Sequence, residues 1–145
     1  ESAAKKPSFR SAFRNRRCLI LADGFYEWKG EKGRKQPMFI TLPDRQPFAF
    51  AGLWETWNNK DSEGSIYKSC TIITTQSSES IRNIHHRMPV VLKPEAYSDW
   101  LDSLNQDLVR LNQILRKSIM TEFIYEMQET SVKTRHRQLS LLLHF

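Results

Sequence analysis

Hydrophobic and polar positions alternate along the first two thirds of the chain and recur at helical spacing afterwards. Pro7-Ser8-Phe9-Arg10-Ser11-Ala12-Phe13 reads as a turn entering a short helix, with Ser8 placed to cap it and Phe9 and Phe13 on one face at i, i+4. Arg17 to Ala22 is an apolar run centred on Ile20 and predicts a buried strand. Asp23-Gly24 ends it. Phe25, Glu27 and Lys29 then alternate with Tyr26, Trp28 and Gly30, the strand period. Gly30 to Lys35 is a charged turn and Pro37 to Leu42 a second strand, so the two predict a hairpin. After the turn Pro43-Asp44-Arg45-Gln46-Pro47, a third strand spans Phe48 to Trp54. Asn58 to Gly64 reads as a polar loop, and the β-branched stretch Ile66 to Thr75 as a fourth strand.

The period then changes. Ser77 to Asn83 predicts a short helical turn and Met88 to Leu92 a short strand. Pro94 opens a helix where its missing N–H costs nothing, with Ala96, Trp100 and Leu104 recurring every four residues. A further helix, about Asp107 to Ser118, carries Leu108, Leu111 and Leu115 on one face. Strands followed by helices, with no internal repeat, predict an α+β domain centred on an antiparallel sheet.

Composition narrows the class. A chain of 145 residues with 39% hydrophobic and 26% charged residues is one globular domain, neither disordered nor fibrous. No apolar run approaches the ~20 residues of a membrane helix. Two cysteines make no disulfide framework, and no secretory signal is visible. The expectation is an intracellular, soluble protein. It begins at Glu1 rather than Met, so it reads as processed or as part of a longer protein. The net charge of +6 lies entirely in the first quarter: ten lysines and arginines stand against four acids up to Gln36, and twelve against twelve beyond it. Lys5, Lys6, Arg10, Arg14, Arg16 and Arg17 have no acid among them, which is the footprint of a phosphate-bearing partner or simply a solvated face.

Three segments set reactive groups in apolar surroundings. In Ala22-Asp23-Gly24-Phe25-Tyr26-Glu27-Trp28, Glu27 is either an exposed carboxylate on the wet face of the hairpin or a desolvated one, whose raised pKa suits proton transfer. In Ile84-His85-His86-Arg87-Met88-Pro89, histidine beside arginine suits proton transfer next to a phosphate, or a structural hydrogen bond. On an extended chain the two histidines point opposite ways and do not serve one site. In Thr71-Ile72-Ile73-Thr74-Thr75, hydroxyls at a strand end either bind phosphate or simply favour the strand. Cys18 and Cys70 lie in apolar strands and read as inert packing. With only two distant cysteines and no paired-histidine spacing, no metal site is expected. Trp28, Trp54 and Trp57 are the kind of aromatics that stack unpaired bases near a basic groove; Trp100, on a helical apolar face, reads as core.

Taken together, the blocks Arg17 to Lys29, Phe50-Ala51-Gly52-Leu53-Trp54-Glu55, Cys70 to Thr75 and Ile84 to Val90 stand in the same order as in the SOS-response-associated peptidase (SRAP) family, which the chain resembles from about Glu1 to Leu104. The resemblance implies a twisted, barrel-like antiparallel sheet with flanking helices. It implies recognition of abasic sites in single-stranded DNA, including at junctions with duplex, as part of a DNA-damage response. It implies a cysteine at the mature N-terminus whose amine and thiol close a thiazolidine on the ring-opened sugar, giving a covalent DNA–protein crosslink. By the same resemblance Glu27 assists proton transfer and N-terminal processing, and His85 promotes opening or protonation of the sugar. Thr74 and Arg87 contact phosphates, with Arg17 grouped beside them as a DNA contact. No cofactor, no metal and no membrane are implied, and a monomer is expected, in the cytoplasm or nucleoid of a bacterium or the nucleus of a eukaryote.

The chain departs from the family at both ends. The opening Met-Cys-Gly-Arg is absent, and Glu1 looks like the last member of an Asn-Ala-Arg-x-Glu motif. The nucleophile would precede Glu1, and the chain is expected to be inactive without it. Met120 to Phe145 shows no match to the family's closing strand, so residues 1–118 read as a partial SRAP domain and 119–145 as a divergent segment. Two other readings remain: a non-catalytic single-stranded-DNA-binding remnant, and a self-processing thiol peptidase.

Overall fold

A computed structural model describes residues 7–31, 34–58 and 66–129, with Pro7, Ser8 and Asn58 described by backbone alone. The elements run α1 (Pro7–Asn15), β1 (Arg17–Ala22), β2 (Phe25–Lys29), β3 (Gln36–Thr41), β4 (Phe48–Asn58), β5 (Ile66–Ile72), β6 (Thr74–Gln76), β7 (Arg87–Pro89), β8 (Val91–Leu92), a 3₁₀ turn (Pro94–Ala96), α2 (Tyr97–Leu101), α3 (Leu108–Lys117) and β9 (Ile124–Met127). Lys5, Lys6, the cap expected from the Ser8 side chain and most of the polar loop lie outside the described residues.

The class is the expected α+β. The strands form three antiparallel sheets, β1-β4-β5 with β8 also on β4, β2-β3-β9, and β6-β7; they do not close into one barrel among the described residues. Strand β4 is the hub. From Phe48 to Leu53 every residue is buried, because successive side chains enter two different cores. Phe48 and Phe50 pack with Met38, Ile40, Ile72, Val91 and Phe123. Ala51 and Leu53 pack with Phe13, Ile73, Leu92, Trp100, Leu111 and Ile114.

The stretch expected as one strand from Ile66 to Thr75 is divided. At Ile73 the chain leaves β4: Ile73 N–H donates to Ala51 O, Val90 N–H to Ile73 O, and Ala51 N–H to Val90 O. Ile72 and Val91 face one core and Ile73 and Val90 the other, as alternation requires. Both segments part from β4 at Ala51, which bonds Ile73 and Val90 alike, and this is the corner. The corner projects Thr74–Gln76 and Arg87–Pro89 out as a separate ribbon, with Thr74 opposite Pro89 and Gln76 opposite Arg87.

Other differences have local causes. Strand β4 runs to Asn58 rather than Trp54 because β5 pairs with it throughout, beyond the reach of either core. Strand β9 was not expected: its four residues are all exposed, so no alternation marks it, yet it pairs with β3. Within the segment read as divergent, Phe123 is buried in a core and Ile119 bridges to Leu92. Leu104 is 90% exposed rather than core, because α2 ends at Leu101. Asp102 then accepts the Leu104 N–H in a tight turn. Cys18 is half-buried and Cys70 exposed, which corrects the reading of both as buried packing; Cys70 lies on β5 where no core covers it. Trp100 is fully buried as expected, edge-on to Phe13, with its indole N–H on Cys18 O at 3.0 Å. Among the described residues no helix is long and apolar enough to cross a membrane.

Arg17 ties the helices to the sheet. Its side chain is buried, and its five N–H groups meet five carbonyls: Phe13 and Arg14 at the end of α1, Trp100 at the end of α2, and Asp102 and Asn105 in the following turn. Carbonyls at helix C-termini lack intrahelical partners and carry the negative end of the helix dipole, so a cation satisfies them twice over. Burial lowers the Arg17 pKa, and Asp102 partly offsets this. Lysine has three donors and no planar fork. Arg17→Lys is therefore expected to destabilise the fold by about 2–4 kcal/mol; urea unfolding with an unchanged midpoint would contradict this.

Candidate functional site

The β2–β3 hairpin fixes Glu27. Opposite Met38, it shares a face with Phe25, which packs edge-on to Phe50 and Phe123. That face looks toward the core, not water. Gly24 allows the approach: a Cβ there would run into the Phe39 ring and the Ile40 carbonyl. Glu27 thus lies at the rim of a core with its side chain 20% exposed. Desolvation raises its pKa above the usual carboxylate value. His85, the Trp28 backbone N–H, Lys35 and His86 pull the other way.

His85 faces this carboxylate, its Nδ1 3.9 Å from Glu27 Oε1. The same Nδ1 is 2.9 Å from Arg87 O. The tautomer that donates there leaves Nε2 with a free lone pair. His86 stacks on His85, ring centroids 4.4 Å apart, which corrects the expectation that the two histidines diverge. The reason is local: residues before Arg87 form a turn rather than a strand, with Ile84 N–H and His85 N–H both bonded to Ile81 O.

The ribbon supplies the next part. Arg87 crosses diagonally to Thr74, donating through Nε and Nη2 to Thr74 Oγ1 at 3.2 and 2.7 Å and through Nη2 to Thr74 O at 2.9 Å. The Thr74 hydroxyl, accepting from Arg87, keeps its own proton to donate. Arg87, Thr74, Thr75, Gln76 and His86 line a cavity of about 550 Å³, closed on the far side by Asn112, Leu115 and Arg116 of α3. A cationic fork, hydroxyls and amides around such a space suit an anion with a polar body.

The structure therefore joins Glu27, His85, Arg87 and Thr74 in one continuous strip. It does not bring Arg17 to it: that guanidinium is occupied by the helix-end carbonyls. A buried cation whose donors are all taken is a structural anchor, which corrects its grouping with the DNA contacts. Sequence reasoning missed Lys35, His86, Asn112 and Arg116. Asn112 and Arg116 stand at i, i+4 on α3, offset from the buried Leu111 and Ile114, and that polar pair was the available signal.

Residues 1–135 match the family described as SOS response associated peptidase (SRAP), and the chain belongs to that family. It is 47% identical to the abasic site processing protein YobE of Bacillus subtilis over 116 residues, 79% of this chain and 52% of that protein. It is 35% identical to the abasic site processing protein YedK of Escherichia coli over 101 residues, 70% of this chain and 44% of that protein. A crystal structure from Bacteroides thetaiotaomicron superposes with a TM-score of 0.79 at 28% identity, covering 89% of this chain and 56% of that one. The chain thus spans about half the length of the curated relatives it matches.

Because burial raises the Glu27 pKa, the folded state holds that proton more tightly than the unfolded chain does. The stabilisation is present in acid, below the unfolded pKa, and is lost as pH rises through the folded value. Glu27→Gln is expected to melt above wild type at neutral pH, with the gap closing in acid. A variant less stable than wild type at neutral pH would contradict the desolvated carboxylate.

Proposed function

We propose that the intact protein processes abasic sites in single-stranded DNA, including at junctions with duplex, within a DNA-damage response. One observation carries the reading: a desolvated carboxylate faces an imidazole that is bonded to the backbone of an arginine–threonine anion cradle. An abasic site offers a masked aldehyde flanked by phosphates. Arg87 and Thr74 take a phosphate, the sugar lies against His85 and Glu27, and the cavity beyond Arg87 takes the neighbouring nucleotide. His85 Nε2 takes the proton of the sugar's C1′ hydroxyl and returns it to the ring oxygen as the C1′–O4′ bond breaks, leaving the open aldehyde. The amine of an N-terminal cysteine, supplied ahead of this segment, adds to that carbonyl. Glu27 relays the proton lost by the amine as water leaves and an imine forms. The thiol then adds across the imine, its proton passing to nitrogen, and a thiazolidine closes.

With that N-terminal cysteine in place, abasic single-stranded DNA is expected to give a slower band on a denaturing gel, lost when the cysteine becomes alanine. Glu27→Gln and His85→Ala are each expected to slow its formation by about 10²–10⁴-fold. Arg87→Ala is expected to weaken binding and lower the log–log salt slope by about 1. The exposed Arg10 on α1 favours one second reading, DNA binding without chemistry. Salt-sensitive binding with no crosslink from the intact protein would select it and overturn the first.

A further inference from the structure

The hairpin of β4 and β5 extends beyond both cores. On one face Leu53 opposite Thr71 is its last rung to bury a side chain in a core. Past it come Glu55 opposite Ser69 and then Trp57 opposite Tyr67. Trp57 is 58% exposed and Tyr67 54%, and their rings lie 5.9 Å apart at 37°. Two large aromatics held together in water by a strand pair form a surface with no packing role among the described residues. At 5.9 Å the rings already touch each other, so a planar partner stacks on the outside of the pair.

Charge says what that partner is. The described part of the hairpin holds one acid, Glu55, and Arg16 neutralises it at 2.7 Å. Its one base, Lys68, hangs over Trp54 on the opposite face at 5.9 Å. Beside the aromatic face, Phe9 and Ala12 of α1 close a groove of about 160 Å³ against Leu53, Glu55, Ser69 and Thr71. Helix α1 contributes Arg10 and Arg14 and no acid. A paired aromatic platform, hydroxyls in a groove and an acid-free basic helix alongside match the bases and phosphates of an unpaired nucleic-acid strand.

We propose that the Trp57–Tyr67 platform and the α1 groove form a second contact for single-stranded DNA, separate from the strip around Glu27 and taking undamaged nucleotides by stacking. This rests on the DNA-binding reading above. Stacking on any base is sequence-tolerant, so the contact would hold the strand flanking a lesion without reading it.

The test is fluorescence anisotropy of the intact protein with labelled, undamaged oligothymidylate across a salt series. Trp57→Ala and Tyr67→Ala are each expected to weaken binding about tenfold, with Trp57→Phe and Tyr67→Phe retaining most of it. The aromatic variants should leave the salt slope unchanged, whereas Arg10→Ala should lower it by about 1. If the alanine variants bind as wild type while Arg87→Ala binds weakly, the platform is refuted and the DNA-binding reading survives. If wild type itself does not bind oligothymidylate, the platform is refuted, and the crosslinking gel with abasic DNA decides the other reading separately. Melting temperatures and light scattering close the remaining routes. Alanine variants that melt several degrees low, or that turn a dimer into a monomer, would mean the face is covered by protein and would overturn the proposal.

Discussion

The double burial of β4 is the constraint from which the rest of the structure follows. A strand whose two faces both carry apolar side chains from Phe48 to Leu53 needs cover on each side. Helices α1, α2 and α3 supply one cover, and the β2–β3 hairpin with the turn before Arg87 supplies the other. The edge of β4 opposite β1 is shared between β5 and β8, which meet at Ala51. The corner at Ile73 and Val90 is the consequence of that sharing. It throws Thr74 and Arg87 outward beside the rim where Glu27 and His85 lie. The candidate site is therefore positioned by packing, not by a flexible loop.

Electrostatics divides the basic residues more sharply than their clustering in the sequence suggests. Arg17 is consumed by backbone carbonyls, and Arg16 by Glu55. Arg10 stays exposed on α1, and Arg87 is oriented by Thr74. A count of charge in the first quarter of the chain thus overstates how much of it reaches a partner. Glu27 shows the opposite economy: burial beside Phe25 destabilises its charged form, and that same destabilisation is what suits it to exchange a proton.

Much of this was legible in the residues. The strands with apolar alternation or runs, Arg17–Ala22 and Phe25–Lys29, lie where the pattern put them, Gln36–Thr41 lies one residue ahead of the expected Pro37 to Leu42, and Trp100 fills the core its helical spacing implied. The departures occur where no core face imposes a pattern. Strand β9 and the outer part of β4 are exposed, and the split at Ile73 is invisible because Ile72, Ile73 and Thr74 are all β-branched, as in one continuous strand. Glu27 was ambiguous for the same reason: alternation gives two faces, and only the hairpin's docking on Phe50 decides which one is dry. Leu104 looked periodic but followed a helix already ended by Asp102.

The most direct measurement is side-chain chemical-shift mapping of the intact protein with single-stranded DNA carrying one tetrahydrofuran abasic analogue, which binds without opening to an aldehyde. Resonances of Glu27, His85, Thr74 and Arg87 are expected to move together while the Arg17 guanidinium stays fixed. Shifts that spare those four side chains and cluster on another face would contradict it.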